Sequence, residues 1–390
     1  MLKNIKDFLK NEGKNACFLY GQKENILAID PIEKFVGQDL EKFQKFAIRH
    51  KKHKLIGYFS YDLGYKLHNI KKTSKTDQHF PQIYFLAFKK WNKEKTTENA
   101  SKFAEKFKIE GENFKPTFSK EKYKNAFGKI QKYIKDGDIY QINLTHRLRA
   151  KLKKPGKESS HQIARKIFLK TIANNTVDYA AYLECDGFEL ICASPERFVL
   201  IEKGKIETCP IKGTRKRGKT KEEDEKMKAE LLKSEKEKAE LNMITDLLRN
   251  DIGKIAAIGS VKVVNERVIS KLKSVWHTHS KITARLKKGI SAIKALISML
   301  PGGSITGCPK KRAMEIIDEL EPHTRGIYTG NIGYIDGDKI DMNIAIRTII
   351  KKGENLFLQV GGGIVIDSKE KDEYNETLDK AKSFMNIIDQ

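Results

Sequence analysis

The chain has 390 residues, enough for one large domain or roughly two to three ordinary ones. Hydrophobic residues make up 39% and aromatic residues 9%, which supports a sizeable core and excludes a largely disordered chain. Charged residues reach 33%, and no run approaches the about 18 consecutive apolar residues of a membrane span. Residues 1–20 lack the apolar segment of an export signal, and the five cysteines show no metal-type spacing. We therefore expect a soluble cytoplasmic protein without a membrane partner.

The charge balance is strongly basic. Lys and Arg total 76 against 51 Asp and Glu, which gives a formal net charge of +25. Such an excess is typical of proteins that bind nucleic acid, and this remains the alternative from a different functional class. The basic residues are spread along the chain, however, and no zinc finger or RNA-binding aromatic motif accompanies them. We therefore expect no nucleic acid as the main partner.

The predicted elements divide near a polar stretch, Asn92–Lys120, into an N-terminal region of residues 1–116 and a main domain of residues 117–390. In the main domain, short β-rich runs are Leu190–Cys192, Arg197–Ile201, Lys205–Ile211, Gly330–Ile335, Ile340–Ile350 and Leu356–Val360. Connections this short join antiparallel strands. Helices are predicted at Glu121–Lys135, His161–Thr171, Asp224–Leu248, Pro309–Leu320 and Asp372–Ile388. Antiparallel strands with separate helices favour an α+β fold.

Two of the predicted helices carry carboxylates along the stripe that should face the interior. Glu237 and Glu240 belong to the first, and Glu373 and Glu376 to the last. Unpaired carboxylates are costly to bury, so each needs a partner. A solvated or lysine-paired side chain explains one such pair. Two pairs with the same spacing suit an oxygen-preferring ion such as Mg²⁺.

Two glycine-rich segments are candidates for anion binding. Pro301–Lys310 lacks the Gly-Lys-Ser/Thr ending of a nucleotide P-loop, although a turn that leads into a helix can hold an anion. Gly361, Gly362 and Gly363 follow a predicted strand and expose backbone N–H groups to a ligand. A tight turn and a bulge explain the two segments equally well.

Several longer motifs resemble those of the chorismate-utilising enzymes, in the order of that family. They are Asp138–Leu144, Ser194–Phe198, Pro210–Arg215, Ala239–Ile244, Asp246–Asp251, Pro301–Pro309, Met314–Pro322, Ile346–Thr348 and Glu373–Thr377. The resemblance covers about Lys120–Phe384 and is weak in the N-terminal third. It implies an α+β fold of two large packed, mostly antiparallel β-sheets with helices on the outside, as in anthranilate synthase. The N-terminal region would be woven into that fold, and residues 117–390 would bind chorismate.

Two positions indicate which branch of the family the chain resembles. Gln141 stands where the members that activate water carry a lysine, which favours the ammonia-using members. Lys212 stands where anthranilate synthases carry alanine and aminodeoxychorismate synthases carry lysine. The resemblance therefore implies conversion of chorismate to 4-amino-4-deoxychorismate, a precursor of 4-aminobenzoate and folate. Anthranilate formation for tryptophan synthesis is the close alternative.

The resemblance also implies roles for individual residues. Lys212 would add at C2 of chorismate while Glu196 protonates the departing C4 hydroxyl, and ammonia would then displace Lys212. His277 matches an active-site histidine, whereas His279 stands where the family usually has an apolar residue. Substrate binding is implied for Gln141, Gly213, Thr214, Tyr328, Arg347, Gly361, Gly362 and Gly363.

A metal and a partner complete the expected site. The resemblance implies that Glu240 and Glu376 hold Mg²⁺ against the ring carboxylate of chorismate, with Glu237 and Glu373 around them. None of the cysteines lies in a recognisable nucleophile motif of a glutaminase. Ammonia would then come from a separate glutamine amidotransferase subunit.

Overall fold

The computed structural model describes residues 3–11, 15–21, 23–74, 77–96, 101–153, 156, 158–175, 178–271 and 275–388. The first strands are β1 (Cys17–Tyr20), β2 (Glu24–Ala28), β3 (Glu33–Gly37), β4 (Lys54–Phe59), β5 (Ile83–Phe88), β6 (Asn92–Lys95) and β7 (Lys115–Pro116). The middle of the chain forms β8 (Gln141–Lys151), β9 (Tyr179–Cys185), β10 (Phe188–Ser194), β11 (Arg197–Glu202), β12 (Lys205–Thr208) and β13 (Ile211–Lys216). The last strands are β14 (Lys262–Lys271), β15 (Val275–Arg285), β16 (Gly307–Cys308), β17 (Asn331–Asp336), β18 (Lys339–Asn343), β19 (Thr348–Lys352) and β20 (Asn355–Ile364).

The helices are interspersed with these strands. Those before residue 200 are α1 (Lys3–Lys10), α2 (Leu40–Arg49), α3 (Leu63–Leu67), α4 (Ser101–Ala104), α5 (Lys120–Lys135) and α6 (Ser160–Asn174). The later helices are α7 (Lys221–Lys233), α8 (Glu235–Gly253), α9 (Ala292–Ser298), α10 (Lys310–Leu320) and α11 (Glu370–Met385). A short 3₁₀ helix covers Gly303–Ile305.

The described strands form two sheets of ten, and every pairing between them is antiparallel. The first sheet has the order β16-β8-β20-β19-β10-β9-β1-β2-β6, with β7 beside β8. The second sheet has the order β13-β15-β12-β11-β18-β17-β4-β5-β3, with β14 beside β15. The expected α+β fold of two large antiparallel sheets is therefore confirmed.

The two sheets pack face to face, and helices cover their outer faces. Strand β5 illustrates the reason, because its successive side chains enter two different cores. Phe85 and Ala87 pack among the helices on the outside of the second sheet, whereas Tyr84 and Leu86 pack between the sheets. A strand buried on both faces needs a continuous hydrophobic run instead of an alternating one. Each large apolar side chain buried in these layers contributes about 1.5–3 kcal/mol to folding.

Several connections join one sheet to the other, and two of them lie side by side. One joins β10 to β11 and contains Glu196, and the other joins β18 to β19 and contains Arg347. The Ile344 N–H donates to the Glu196 carbonyl at 3.0 Å, and the Ala193 N–H donates to the Arg347 carbonyl at 2.9 Å. The two crossovers are therefore held together by their backbones.

Three local predictions were wrong in detail. The run Ile340–Ile350 forms two strands in different sheets, because the chain crosses between them. The predicted helix Asp224–Leu248 is divided into α7 and α8 at Ser234, which has an extended backbone and caps α8 through its hydroxyl. The Gly361–Gly363 segment lies inside β20 instead of following it, since the pairing with β8 continues to Ile364.

Residues 1–116 contribute to both sheets. Strands β1, β2, β6 and β7 belong to the first sheet, and β3, β4 and β5 belong to the second. The division at residue 116 stays a prediction. Among the described residues, no helix is long and apolar enough to cross a membrane.

Candidate active site

Glu196 is a buried carboxyl on the first crossover, with 7% of its surface exposed. The Ser304 hydroxyl, in the 3₁₀ helix, donates a hydrogen bond to its Oε1 at 3.1 Å. Burial raises the pKa of Glu196 to about 7, although the charge of Lys212 and the bond from Ser304 act in the opposite direction. Near neutral pH this side chain can therefore donate a proton, as a general acid must.

Lys212 lies in β13, directly before a β-bulge. The register with β15 shifts between Lys212, opposite Thr278, and Thr214, opposite His277, so Gly213 is the extra residue. Gly213 has φ +75°, and a Cβ there would lie 2.7 Å from Glu237 Oε2. Only glycine suits this position. The bulge therefore brings the strand that carries Lys212 close against α8, where the carboxylates lie.

His277 and Arg347 lie on the side of the site next to the second crossover. The backbone beside Tyr328 reaches the same crossover, where the Thr329 N–H donates to the Ala345 carbonyl at 2.9 Å. Burial lowers the pKa of His277 to about 4, and the neighbouring His279 and Arg347 act in the same direction, so the imidazole is neutral at pH 7. Burial also lowers the pKa of Arg347. Within the described ranges no carboxylate pairs with Arg347. A desolvated guanidinium without a counter-ion is suited to hold an anionic group of a ligand.

Gln141 begins β8 and is buried beside the glycines of β20. Its Oε1 has no hydrogen-bond partner among the described residues. A Cβ at Gly363 would lie 2.6 Å from Gln141 Nε2, so this glycine leaves room for the amide. Gly361 and Gly362 are the next residues of β20 toward its N-terminus, and a Cβ at Gly362 would lie 3.3 Å from Glu373 Oε2. The glycine segment therefore lines a narrow space between Gln141 and α11.

The carboxylate cluster comes from the first two turns of two helices and consists of Glu237, Glu240, Glu373 and Glu376. Glu237 and Glu240 lie in α8, where Arg215 pairs with Glu237 at 2.7 Å. The other oxygen of Glu237 is buried without a hydrogen-bond partner in the described part of the chain. Burial raises the pKa of Glu240, and the negative charges of Glu373 and Glu376 raise it further. The positive charges of Lys212 and Lys236 lower this pKa, but it stays above its ordinary value. The two helices therefore bring their acidic groups within electrostatic reach of each other and of Lys212.

The two glutamates of α11 differ in exposure. The Glu373 side chain is only 4% exposed and accepts from the Ser368 hydroxyl at 2.6 Å. Glu376 is 55% exposed and pairs with Lys380 at 2.8 Å. Burial raises the pKa of Glu376, but the positive charges of Lys380 and two further lysines outweigh it and leave this pKa below its ordinary value. Glu376 is thus ionised and open to solvent, whereas Glu373 is enclosed.

The donor chemistry of the carboxylate cluster suits a hard cation. All four side chains offer oxygen, and the orphaned oxygen of Glu237 is available to an ion or to water. As they stand, no three acidic, histidine or cysteine side chains of the described residues converge closely enough to hold a metal ion. The arrangement therefore fits an ion that takes one or two carboxylates and keeps several waters, as Mg²⁺ does.

Sequence reasoning missed two contacts of the site. Ser304 belongs to the motif Pro301–Pro309, but no local sequence pattern predicts its hydrogen bond to Glu196, a residue far away in the sequence. The glycines of that motif serve packing, because a Cβ at Gly303 would lie 2.7 Å from Leu247. Lys236 was not singled out, although it lies four residues before Glu240 and contacts both helices of the cluster. That spacing was the available signal.

A separate cavity of about 490 Å³ lies between the two sheets. Tyr20, Asp178, Tyr179, Arg197 and Asp341 are among the residues that line it. None of the predicted site residues lines this cavity. Arg197 pairs there with Asp341 at 3.0 Å. The consecutive residues Glu196 and Arg197 therefore line different regions, Glu196 the candidate active site and Arg197 this cavity.

Comparison with known proteins identifies the family of the chain. The model of the family described as chorismate binding enzyme matches residues 8–386. The chain is 38% identical over 368 residues to aminodeoxychorismate synthase component 1 of Bacillus subtilis, covering 86% of this chain and 76% of that protein. It is 42% identical over 278 residues to anthranilate synthase component 1 of Aquifex aeolicus, covering 71% of this chain and 55% of that protein. The chain thus spans little more than half the length of the Aquifex relative.

The fold has the same counterpart among solved structures. The crystal structure of anthranilate synthase component I from Streptococcus pneumoniae superimposes with a TM-score of 0.80 at 27% identity, covering 93% of this chain and 92% of that one. The fold and the site define a chorismate-utilising type of protein. The chain belongs to the family of chorismate binding enzymes.

Proposed function

We propose that the protein is the large component of an aminodeoxychorismate synthase, which replaces the C4 hydroxyl of chorismate by an amino group. The observation that carries this proposal is Lys212, whose charge acts on Glu196 and also on the carboxylate cluster. A primary amine between a general acid and an anion-binding region suits covalent catalysis on an anionic ring. The similarity to the Bacillus subtilis protein supports the same reaction.

In the proposed mechanism, the amine of Lys212 attacks C2 after losing a proton. Both ring double bonds shift, from C1=C2 and C5=C6 to C1=C6 and C4=C5, as the C4–O bond breaks, and Glu196 supplies the proton that lets the hydroxyl leave as water. Ammonia then attacks C4, both double bonds return to their original positions, and the C2–N bond to Lys212 breaks. The enolpyruvyl group is untouched, so the sum is chorismate plus ammonia giving 4-amino-4-deoxychorismate plus water.

Substrate positioning in the proposal uses the unpaired guanidinium. Arg347 and Tyr328 would hold the pyruvyl carboxylate, with the backbone of Gly361–Gly363 beside them. Gly213 and Thr214 would contact the ring carboxylate. His277, neutral at pH 7, would donate or accept a hydrogen bond and carry no charge. Gln141, with its free buried oxygen, would bind the incoming ammonia or the ring.

The proposed cofactor is Mg²⁺, held by Glu240 and Glu376 directly and by Glu237 and Glu373 through water. Bound there, it would offset the negative charge of the ring carboxylate. The basic side chains around the cluster offset part of its negative charge, and the divalent ion would supply further positive charge where the anionic substrate binds.

The proposed partner is a glutamine amidotransferase subunit that supplies ammonia. The Bacillus subtilis relative is named component 1, which supports a two-component enzyme. In its absence, ammonium salts at mildly alkaline pH would replace it.

The first experiment separates products by chromatography after incubation of the purified chain with chorismate, Mg²⁺ and ammonium. The expected product retains the enolpyruvyl group and is converted to 4-aminobenzoate by an added lyase. In the Lys212→Ala variant, formation of this product is expected to fall at least about hundredfold, because covalent catalysis is lost. Lys216→Ala, on the same strand with an exposed side chain, is the matched control. An unchanged rate in Lys212→Ala would contradict the mechanism.

The second candidate function is anthranilate synthesis, favoured by the 42% identity to the Aquifex aeolicus protein. It predicts release of pyruvate and a fluorescent product in the same assay. Anthranilate as the main product would mean that Lys212 does not decide the branch. Duplex or single-stranded nucleic acid retained at 50 mM salt (about the ionic strength at which such contacts are strong) would instead favour the basic-protein alternative.

A further inference from the structure

Lys236 lies between the two helices that supply the carboxylate cluster. Its Nζ is 3.3 Å from Glu373 Oε1 in α11 and 4.0 Å from Glu240 Oε1 in α8. Glu373 is almost fully buried, while the lysine side chain is 48% exposed. A single ammonium group therefore bridges two acidic groups from different helices and also has a path to solvent.

The position of Lys236 is unfavourable for α8 itself. Ser234 is the N-cap, so Lys236 is the second residue of the helix, where the helix dipole disfavours a cation. The acidic residues of this first turn, Glu235 and Glu237, carry the favoured sign, and the other lysine there, Lys238, pairs with Glu235 within the helix. The helix alone gives no reason for a lysine here. The two carboxylates that it bridges do.

A divalent ion at the carboxylate cluster would draw on the acidic groups that Lys236 contacts, Glu240 directly and Glu373 through water. Glu373 already accepts from Ser368 and pairs with Lys236, and Glu240 lies within 4.0 Å of the same ammonium. Two cations drawn to the same oxygens compete, because each lowers the negative potential that attracts the other. The long lysine side chain can rotate into water when displaced.

We infer that Lys236 is the resident cation of the carboxylate cluster, and that a divalent ion binds only by displacing its ammonium group. The inference rests on the proposed Mg²⁺ site. It means that the metal-free chain already keeps α8 and α11 together by an internal ion pair. The affinity for the metal then includes the free energy of displacing the lysine ammonium group from the carboxylates.

The test uses calorimetric titration of the full chain with MgCl₂ and the variants K236Q, K236R and K238Q. Lys238 is the matched control, since it is also 48% exposed and pairs with Glu235 at 3.3 Å outside the cluster. We expect K236Q to bind Mg²⁺ about 5–50-fold more tightly than wild type, in the usual range of coupling between two ligands. K236R, which keeps the charge, and K238Q should stay within about twofold of wild type.

A second measurement needs no metal. Thermal unfolding in the presence of a chelator should give K236Q a Tm about 1–2 °C below that of K238Q, because the carboxylates lose their counter-ion. Equal Mg²⁺ affinity of K236Q and wild type, or equal metal-free Tm of K236Q and K238Q, would overturn the inference and leave the proposed reaction standing. Absence of Mg²⁺ binding by every variant would overturn both the metal site and the inference, while the product assay would judge the reaction separately.

Discussion

Arg325, which is buried, and Arg347, which is half-buried, have opposite surroundings. Arg325 donates to both oxygens of Glu321, at 3.0 and 2.8 Å, and to the carbonyls of Ile305 and Asn143, each at 2.8 Å. Arg347 forms no ion pair within the described residues, and burial alone lowers its pKa. Both side chains lose water on folding, but only Arg325 receives full compensation from the protein.

The same contrast separates the buried acids. Glu184 accepts from Arg165 at 2.6 Å and from the Tyr182 hydroxyl at 3.0 Å, in a closed network far from the crossovers. Glu196 is also buried, yet the side chain that donates to it is the neutral Ser304 hydroxyl, and its pKa rises to about 7. Compensated charges hold the fold together, whereas uncompensated ones mark the place where a ligand must complete the structure.

The largest expected effect concerns the compensated arginine. Arg325→Met leaves Glu321 buried without a cation, and we expect a loss of about 3–5 kcal/mol in the free energy of unfolding. Urea denaturation measures it. The double variant Arg325→Met with Glu321→Leu should regain part of the loss, since no unpaired charge remains. A single variant as stable as wild type would remove the contrast between the two arginines.

The uncompensated arginine should behave in the opposite way. Arg347→Lys keeps the charge but removes the planar pair of donors, so we expect KM for chorismate to rise about 100-fold. The urea midpoint should stay within experimental error of wild type, because the Arg347 guanidinium has no ion pair to lose among the described residues. Steady-state kinetics and denaturation of one preparation test both halves. A large stability loss with unchanged KM would show that Arg347 is structural.

The smallest expected effect is a shift in pH dependence. Glu196 must be protonated to act as an acid, so kcat/KM should fall as the pH rises through about 7, the pKa of this side chain. The Ser304 bond favours the ionised form. Ser304→Ala should therefore raise the pKa and move the falling limb to higher pH, by less than about one unit. A limb that moves to lower pH, or stays in place, would mean that another group controls the rate.

The antiparallel pairing was predictable because its signals are local, whereas the two packed sheets were predicted from the resemblance to chorismate-utilising enzymes. Tight turns between β-rich runs, such as those after β11 and β17, dictate antiparallel pairing whatever surrounds them. The run Ile340–Ile350 was predicted as one strand because buried strands of both sheets are rich in apolar residues. Two successive strands in different sheets therefore have the same sequence pattern as one long strand. Which strand lies in which sheet depends on contacts between distant parts of the chain, and the local pattern does not contain them.

The candidate site was only partly predictable. The spacing of the four glutamates indicated a shared face, and the structure brings those of α8 and α11 into electrostatic reach. The spacing did not reveal that Glu373 is buried while Glu376 is half exposed, because the exposure of each side chain depends on how α11 packs on β20. The roles of Glu196 and Lys212 came from family motifs and stay predictions. Lys236 was hidden because a lysine on a charged helix normally faces water.

The pairing of β4 with β17 has a consequence for how this protein can be cut or fused. Six consecutive residues, Lys54–Phe59, pair with Asn331–Asp336 in the middle of the second sheet. A truncation that removed residues 1–116 would leave the long edge of β17 bare, and bare edges recruit strands from other molecules. The N-terminal region is therefore no detachable module. Interdependence of this kind confines fusions and insertions to surface turns.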